Sequence, residues 1–161
     1  MSVVRHLTAA ALAALAAILV VAPGAARAQS TDAEAAYAVV TRLFDAMRAR
    51  DTAAMRGSFA AGAALQSVTA AGVQRAAIDD WIGGVARAAE GLLLDERLGA
   101  PTVMENGGLA TVLVPYWFFA GERFSHCGVD AFVLAREGGT WKILGVADTR
   151  QRDGCPPPPA M

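Results

Sequence analysis

Apolar residues recur at helical spacing in two stretches of the first half of the chain. The first stretch follows a capping-box pattern, Thr31 to Glu34. Its apolar positions are Ala36, Tyr37, Val40, Leu43, Phe44 and Met47. This spacing predicts an amphipathic helix over about 32–50, and Asp51 can cap a short helix over 52–57. A second stripe of Ile78, Trp81, Ile82 and Val85 predicts a helix over 76–89, preceded by a weak strand over 64–68.

The second half of the chain is rich in β-branched residues, aromatic residues and turn signals. The pattern predicts strands over 92–99, 103–105 and 109–119, and a long hairpin over 124–149 that turns at Gly138-Gly139. Pro115 cannot donate to a ladder, so it marks a sheet edge or a bulge. This order predicts an α+β fold, in which about three N-terminal helices pack on one face of a strongly curved antiparallel sheet.

Alternation divides the side chains of the long hairpin between two faces. With Gly138-Gly139 as a two-residue turn, Arg136 faces Trp141 and Asp130 faces Ala147. The bulkier face, which we expect to meet the helices, carries Phe124, His126, Asp130, Phe132, Leu134, Trp141 and Ile143. The other face carries Cys127, Val129, Ala131, Val133, Leu144, Val146 and Asp148. Because this outer face is also largely apolar, we expect a second copy of the chain to cover it in a homodimer.

The preceding hairpin leaves one inward position open. A turn centred on Gly121-Glu122 puts Trp117 opposite His126, on the inner face. A bulge at Pro115, or a four-residue turn, would instead bring Tyr116 inward. Both arrangements remain open at this point.

His126 and Asp130 are ionisable groups on a face that is otherwise aromatic and aliphatic. Buried groups of this kind need hydrogen-bond partners or a water-filled space. Desolvation of Asp130 would raise its pKa toward the value that a general acid or base needs at neutral pH. Alternatively, a backbone carbonyl satisfies His126, and an arginine or a helix amide satisfies Asp130, as structural groups. We expect Asp148 and Arg150 to pair at the surface or at the mouth of a pocket.

The first 28 residues have the pattern of a secretory signal peptide. The apolar run Leu7 to Ala22 is about 16 residues long, shorter than the roughly 20 that a spanning helix needs. Ala26-Arg27-Ala28 supplies a cleavage pattern before Gln29. We therefore expect a periplasmic or secreted protein without membrane contact after cleavage, with a domain over 29–155 and a Pro-rich tail over 156–161. An uncleaved N-terminal anchor is the alternative.

Charge and cysteine content narrow the classes of partner. The whole chain has a net charge of −1, and cleavage removes two arginines but no acidic residue. A mildly acidic chain of mixed sign does not predict binding to nucleic acid.

Two cysteines in an exported chain, Cys127 and Cys155, predict a disulfide worth about 3–4 kcal/mol, although two buried free thiols are the alternative. Their spacing with the single mature histidine fits no recognised metal site, so we expect neither metal nor cofactor.

Three segments carry a resemblance to a known family. They are RDTAAM (50–55), FSHCGVDAF (124–132) and GGTWKILGVADTRQRDGC (138–155). In this order of elements the chain resembles the nuclear transport factor 2-like superfamily, and within it the exported bacterial members labelled lumazine-binding or polyketide-cyclase-like (SnoaL-like). The resemblance implies a cone in which a bent sheet wraps around three helices, with a pocket between them, usually in a dimer.

The resemblance leaves the activity open because the superfamily contains isomerases, dehydratases and cyclases beside binding and interaction modules. No catalytic motif of these enzymes aligns with this chain. We expect an exported domain whose cone binds a small apolar or aromatic molecule, lined by Trp81, Tyr116 or Trp117, His126, Asp130 and Trp141. The alternatives are an acid–base enzyme that uses Asp130 or His126, and a structural or protein-interaction domain with a filled cone.

Overall fold

The computed structural model describes the backbone of residues 23–158 and the side chains of residues 31–158. The first 22 residues, with most of the predicted signal peptide, and the last three residues of the predicted tail lie outside this part. The elements in chain order are helices and strands with these bounds: α1 Pro23–Ala49, α2 Thr52–Gly57, β1 Phe59–Thr69, β2 Gly72–Ala77, α3 Ile78–Arg87, β3 Leu94–Leu98, β4 Thr102–Asn106, β5 Leu109–Ala120, β6 Arg123–Glu137 and β7 Thr140–Thr149.

All seven strands form one sheet with the order β2-β1-β7-β6-β5-β3, and β4 pairs with the other half of β5. Among the strand pairs of residues 23–158, only β1–β7 is parallel. On β5, Leu109 to Leu113 pair with β4, whereas Tyr116 to Ala120 pair with β3. Pro115 lies between these two sets, where a residue without an amide hydrogen interrupts no ladder bond. The predicted α+β fold with a curled, mainly antiparallel sheet on three helices is confirmed.

The helices close one face of the sheet and form the core with it. The predicted stripe of α1 is buried, with Val40 and Leu43 almost fully removed from solvent. Phe44 of this stripe meets Phe132 of β6 edge to face, at 6.1 Å between ring centroids. Burying a side chain of this size contributes about 2–3 kcal/mol. Helix α3 adds Ile78, Ile82 and Val85 to the same core.

Two β-bulges correct the predicted hairpin registers. In β6–β7 the predicted pairs hold from the turn to Leu134 and Ile143, but Val133 then pairs with Gly145 and Asp130 with Asp148. Leu144 is therefore an extra residue, and it turns Val146 and Asp148 to the inner face. The prediction that these two side chains point outward is wrong.

The second bulge lies in the β5–β6 hairpin. Phe119 pairs with Phe124 as predicted, but Phe118 pairs with His126, which makes Ser125 the extra residue. Phe118 and His126 consequently share the inner face, and alternation places the pair Phe119 and Phe124 on the other face. The prediction of an inward Phe124 is wrong for this reason.

The same bulge also decides the position that the sequence left open. With Phe118 turned inward, Tyr116 lies on the inner face and Trp117 points outward.

Several element bounds differ from those predicted. Helix α1 runs through Thr31 from Pro23, so the capping-box pattern does not begin it. Strand β2 replaces the start of the helix predicted over 76–89, and all of its residues are exposed. An exposed edge strand carries no apolar alternation, so no hydrophobic pattern predicts β2. The cap predicted at Asp51 is present, because its Oδ1 accepts a hydrogen bond from the Ala54 amide at 2.9 Å.

The predicted disulfide is present and holds the chain after β7 against β6. Cys127 and Cys155 are joined, with 6.0 Å between their Cα atoms. Cys127 and Gln151 exchange two backbone hydrogen bonds of 3.0 Å each. The Trp117 indole donates a hydrogen bond of 2.7 Å to the Pro156 carbonyl. Within residues 23–158, no helix is long and apolar enough to span a bilayer.

Candidate functional site

A cavity lies between the sheet and helices α1 and α3, and it has two adjacent chambers. The inner chamber has a volume of about 50 Å³ and the outer chamber about 250 Å³. Four side chains line both chambers and so lie where the chambers meet: Trp81, Glu96, His126 and Arg150. The inner chamber is completed by Leu43, Phe44, Leu65, Tyr116, Asp130, Phe132, Val146 and Asp148. The outer chamber is completed by Met47, Gly84, Val85, Leu94 and Phe118.

Three carboxyl groups converge on the inner chamber from three strands. Asp130 of β6 lies directly opposite Asp148 of β7, and Glu96 reaches the chamber from β3. Asp130 is 4% exposed and Asp148 is 6% exposed. One oxygen of each aspartate, Asp130 Oδ2 and Asp148 Oδ1, is buried without a hydrogen-bond partner among the described residues. The inner chamber thus has two buried acceptors that no described residue satisfies, and such groups need a physical explanation.

Glu96 and Asp130 form a coupled pair of buried carboxyl groups. Burial is the main cause that raises the pKa of Glu96 well above its usual value, and the charge of Asp130 and a hydrogen bond to it raise the pKa further. Burial raises the pKa of Asp130 to about 7, although the hydrogen bond from Glu96 lowers it. The two carboxyl groups therefore titrate as a pair, and burial favours the neutral form of each.

Asp148 is held by two donors from neighbouring segments. Arg150 Nε binds Asp148 Oδ2 at 2.5 Å. The Tyr116 hydroxyl lies 2.8 Å from the Thr149 carbonyl oxygen and 3.2 Å from Asp148 Oδ2. Burial, with the charges of Asp148 and Asp130, raises the pKa of Tyr116, so this hydroxyl keeps its proton. Burial opposes the charge of Arg150, but the hydrogen bond to Asp148 outweighs it and raises the pKa of the guanidinium.

His126 forms one wall of the cavity as a neutral imidazole. Its ring contacts Tyr116 edge to face at 5.6 Å and Phe118 at 5.2 Å, both measured between centroids. Its Nδ1 lies 3.0 Å from the Ser125 hydroxyl. Burial, followed by the charge of Arg150, lowers the pKa of His126 below its ordinary value of 6.5. The ring is therefore uncharged at neutral pH and can donate or accept one hydrogen bond.

The structure brings together four of the side chains proposed from the sequence as pocket residues, Trp81, Tyr116, His126 and Asp130. It separates the other two from them. Trp117 lies on the other face and is bonded to the tail, because of the bulge at Ser125. Trp141 is buried in the hydrophobic core with Arg136 over its ring, and it lines neither chamber. Trp117 and Trp141 therefore line neither chamber, and a pocket role for the six residues stays a prediction.

Sequence reasoning missed Glu96 and placed Asp148 on the wrong face. A signal for Glu96 exists, since alternation in β3 puts it on the same face as Leu94 and Leu98, which pack against the core. No comparable signal exists for Asp148, because only the bulge at Leu144 turns it inward. The expected pair of Asp148 with Arg150 is present. Among the described residues, no group of three or more His, Cys, Asp or Glu side chains is arranged to hold a metal ion.

The fold and the sequence are similar to those of known proteins. A family model described as "Putative lumazine-binding" matches residues 31–146. No curated protein matches the sequence. An NTF2-like protein with a cystatin-like fold from Novosphingobium aromaticivorans has 19% identity and a TM-score of 0.65, covering 86% of this chain and 94% of that one.

Two further solved structures share the fold at low identity. A protein of unknown function from Mycobacterium tuberculosis has 15% identity and a TM-score of 0.67, covering 83% of this chain and 78% of that one. A putative dehydratase of the NTF2-like family from Streptomyces avermitilis has 16% identity and a TM-score of 0.60, covering 76% of this chain and 98% of that one. The match of the family model over the helices and the sheet, together with this shared fold, shows that the chain belongs to the "Putative lumazine-binding" family of the nuclear transport factor 2-like superfamily.

Proposed function

We propose that the domain binds a small molecule with an apolar or aromatic body and a hydrogen-bond-donating end. The observation that carries this proposal is the pair of unpartnered oxygens, Asp130 Oδ2 and Asp148 Oδ1, on residues that line the inner chamber. An unsatisfied buried acceptor costs about 1–3 kcal/mol, and a ligand N–H or O–H group would remove that cost. The Trp81 ring and the side chains of Met47 and Val85 offer an apolar surface to the ligand body in the outer chamber.

Native mass spectrometry of the protein purified from its own cell envelope tests this binding function. We expect a retained non-covalent mass that is lost on denaturation. The variant Gly84→Leu serves as the comparison that should lose this mass. Gly84 lines the outer chamber, and a Cβ there would meet no atom within 4 Å, so a leucine has room to fill the chamber. Retention of the same mass by this variant would place the ligand elsewhere and contradict the proposal.

A second candidate function is acid–base catalysis with Asp130 as the proton acceptor. Its support is the pKa of about 7, raised mainly by burial, on a carboxylate that has one unpartnered oxygen. A base of this pKa is half ionised at neutral pH, which suits proton abstraction next to a carbonyl. One solved relative is described as a putative dehydratase, a reaction class that also needs a positioned base.

Hydrogen–deuterium exchange into enolisable aromatic ketones tests the catalytic candidate. We expect exchange with the parent chain and a loss of at least about a hundredfold with Asp130→Asn. Asp80→Asn is the control, because Asp80 is an exposed residue of α3. Exchange that is equal in all three proteins would exclude Asp130 as the base.

The assembly and the compartment complete the proposal. The described disulfide supports export, since such bonds persist in oxidising compartments. We propose a periplasmic or secreted domain over 29–155 that forms a homodimer through the outer sheet face. Leu113, Val133 and Leu144 of this face are 50%, 40% and 37% exposed. Light scattering at tens of micromolar should give twice the mass of the mature chain, and the mass of a monomer would contradict the dimer.

A further inference from the structure

A basic groove lies on the surface beside the mouth of the cavity. It has a volume of about 320 Å³ and is lined by Ser125, His126, Arg150, Gln151 and Arg152. Two of these side chains, His126 and Arg150, also line both chambers. The groove and the cavity therefore share a wall, and a ligand in the outer chamber lies next to the groove.

The fold fixes the segment that carries the two arginines. The pairing of Asp130 with Asp148 continues in the same register to Cys127 and Gln151, which exchange two hydrogen bonds. The disulfide from Cys127 then ties down the chain beyond Gln151. A groove on a cross-linked segment is preorganised, so binding costs less conformational entropy than it would on a free tail.

The cations of the groove have unused hydrogen-bonding capacity. Arg150 is bonded to Asp148 through Nε, and its two terminal nitrogens make no hydrogen bond within residues 31–158. Arg152 is exposed and forms no ion pair within the same residues. The charges of both arginines reach His126, where each lowers the pKa of the imidazole. Two guanidinium groups with free donors and a neutral imidazole are the donor set that a carboxylate prefers.

We propose that this groove is a subsite for a carboxylate group of the cavity ligand, with Arg150 and Arg152 as its donors. The inference rests on the proposed binding function and extends it to a substrate class. The ligand would be an organic acid that places its apolar body in the outer chamber and its carboxylate on the groove. The carboxyl groups of Asp130 and Asp148 in the inner chamber repel an anion, so the acid group of the ligand must lie at the basic groove.

The test compares 2-naphthoate with 2-naphthamide, which have the same ring system and differ in charge. Isothermal titration calorimetry of the full chain at low salt should give a dissociation constant about tenfold smaller for the carboxylate. In Arg152→Gln this preference should fall to about twofold or less, while the dissociation constant of the amide should stay the same. Arg152→Lys should keep part of the preference, and Arg123→Gln, at an exposed arginine of the β5–β6 hairpin, should keep all of it.

His126 supplies a second readout, because the only other histidine of the chain is His6 in the predicted leader. Its titration can be followed by NMR, and binding of naphthoate should raise its pKa. A loss of Arg152 should raise the pKa in the free protein, since the charge of Arg152 lowers it.

The outcomes separate the two proposals. Equal affinity for naphthoate and naphthamide, or a preference that persists in Arg152→Gln, overturns the carboxylate subsite and leaves the binding function intact. Failure of both probes to bind at millimolar concentration, with no mass retained from the cell envelope, overturns both.

Discussion

Asp130→Asn is the substitution whose effect on stability depends most directly on the buried carboxyl cluster. Burial, the largest cause, and the charge of Asp148 raise the pKa of Asp130 from 3.8 to about 7, although the hydrogen bond with Glu96 and the charge of Arg150 oppose them. A pKa that is higher in the folded state than in the unfolded state favours folding of the protonated form. This contribution is fully present below the unfolded value near 4 and is lost as the pH rises through about 7.

The magnitude follows from the size of the shift. A difference of about 3 pKa units corresponds to roughly 4 kcal/mol of free energy of unfolding, at 1.36 kcal/mol per unit. Because Glu96 and Asp148 share the same chamber, part of that energy belongs to them and remains in the variant. We therefore expect Asp130→Asn to be more stable than the parent by about 2–4 kcal/mol at pH 9. At pH 3.5 the two proteins should differ by less than about 1 kcal/mol, since Asp130 is then largely neutral in both the folded and the unfolded state.

Urea unfolding with the disulfide intact, followed by tryptophan fluorescence from pH 3.5 to 9, measures this difference. The stabilisation should grow between about pH 4 and 7 and level off above that range. Asp80→Asn, at an exposed position of α3, should show no such growth. A stability difference that is independent of pH, or a destabilisation that increases with pH, would refute the reasoning about burial.

Three further substitutions test separate parts of the structure. Gly84→Leu should fill the outer chamber and weaken binding of 2-naphthamide at least about tenfold. Because leucine has a better helix propensity than glycine, the same substitution should stabilise the fold by about 0.5–1 kcal/mol. The control Gly57→Leu lies outside the cavity and should leave the affinity for 2-naphthamide unchanged in the same titration. Gly128→Ala should cost about 3 kcal/mol or more in urea unfolding, because its Cβ would lie 1.8 Å from the Thr149 carbonyl oxygen; a cost below 1 kcal/mol would show that the strands can separate there. Burial opposes ionisation of Asp95, but hydrogen bonds from two arginines outweigh it and lower its pKa, so the contribution of Asp95 is present above pH 4 and is lost as the pH falls through the lowered value. Asp95→Asn should therefore cost about 2 kcal/mol in thermal unfolding at pH 7 and much less at pH 2, and an equal cost at both pH values would contradict the ion-pair explanation.

The parts of the fold that the sequence predicts are those with one strong local pattern. The stripe of α1 and the shorter stripe of α3 each follow a single helical period, so their buried faces are correctly predicted. The Gly138-Gly139 turn sets the register of the nearest pairs, from Glu137 with Thr140 to Leu134 with Ile143. The two cysteines, in a chain with an apparent leader, are enough to predict their disulfide.

The parts of the site that the sequence did not predict depend on single extra residues in strands. A bulge reverses the alternation of every residue beyond it, so Leu144 turns Asp148 into the cavity and Ser125 exchanges Trp117 for Tyr116. Nothing local distinguishes a bulged position from its neighbours in these strands.

The sequence by itself determined the class of fold, the helix faces, the disulfide and the inward placement of His126 and Asp130. Only the tertiary structure decided that Glu96, Asp130 and Asp148 meet in one chamber. The physical reason is that side-chain direction in a strand has a period of two, so a cross-strand register shift of one residue reassigns the face, and that shift is chosen by packing between distant strands. The charge states of the site follow from this packing, because burial next to one another, and not residue type, raises the pKa values of Glu96 and Asp130.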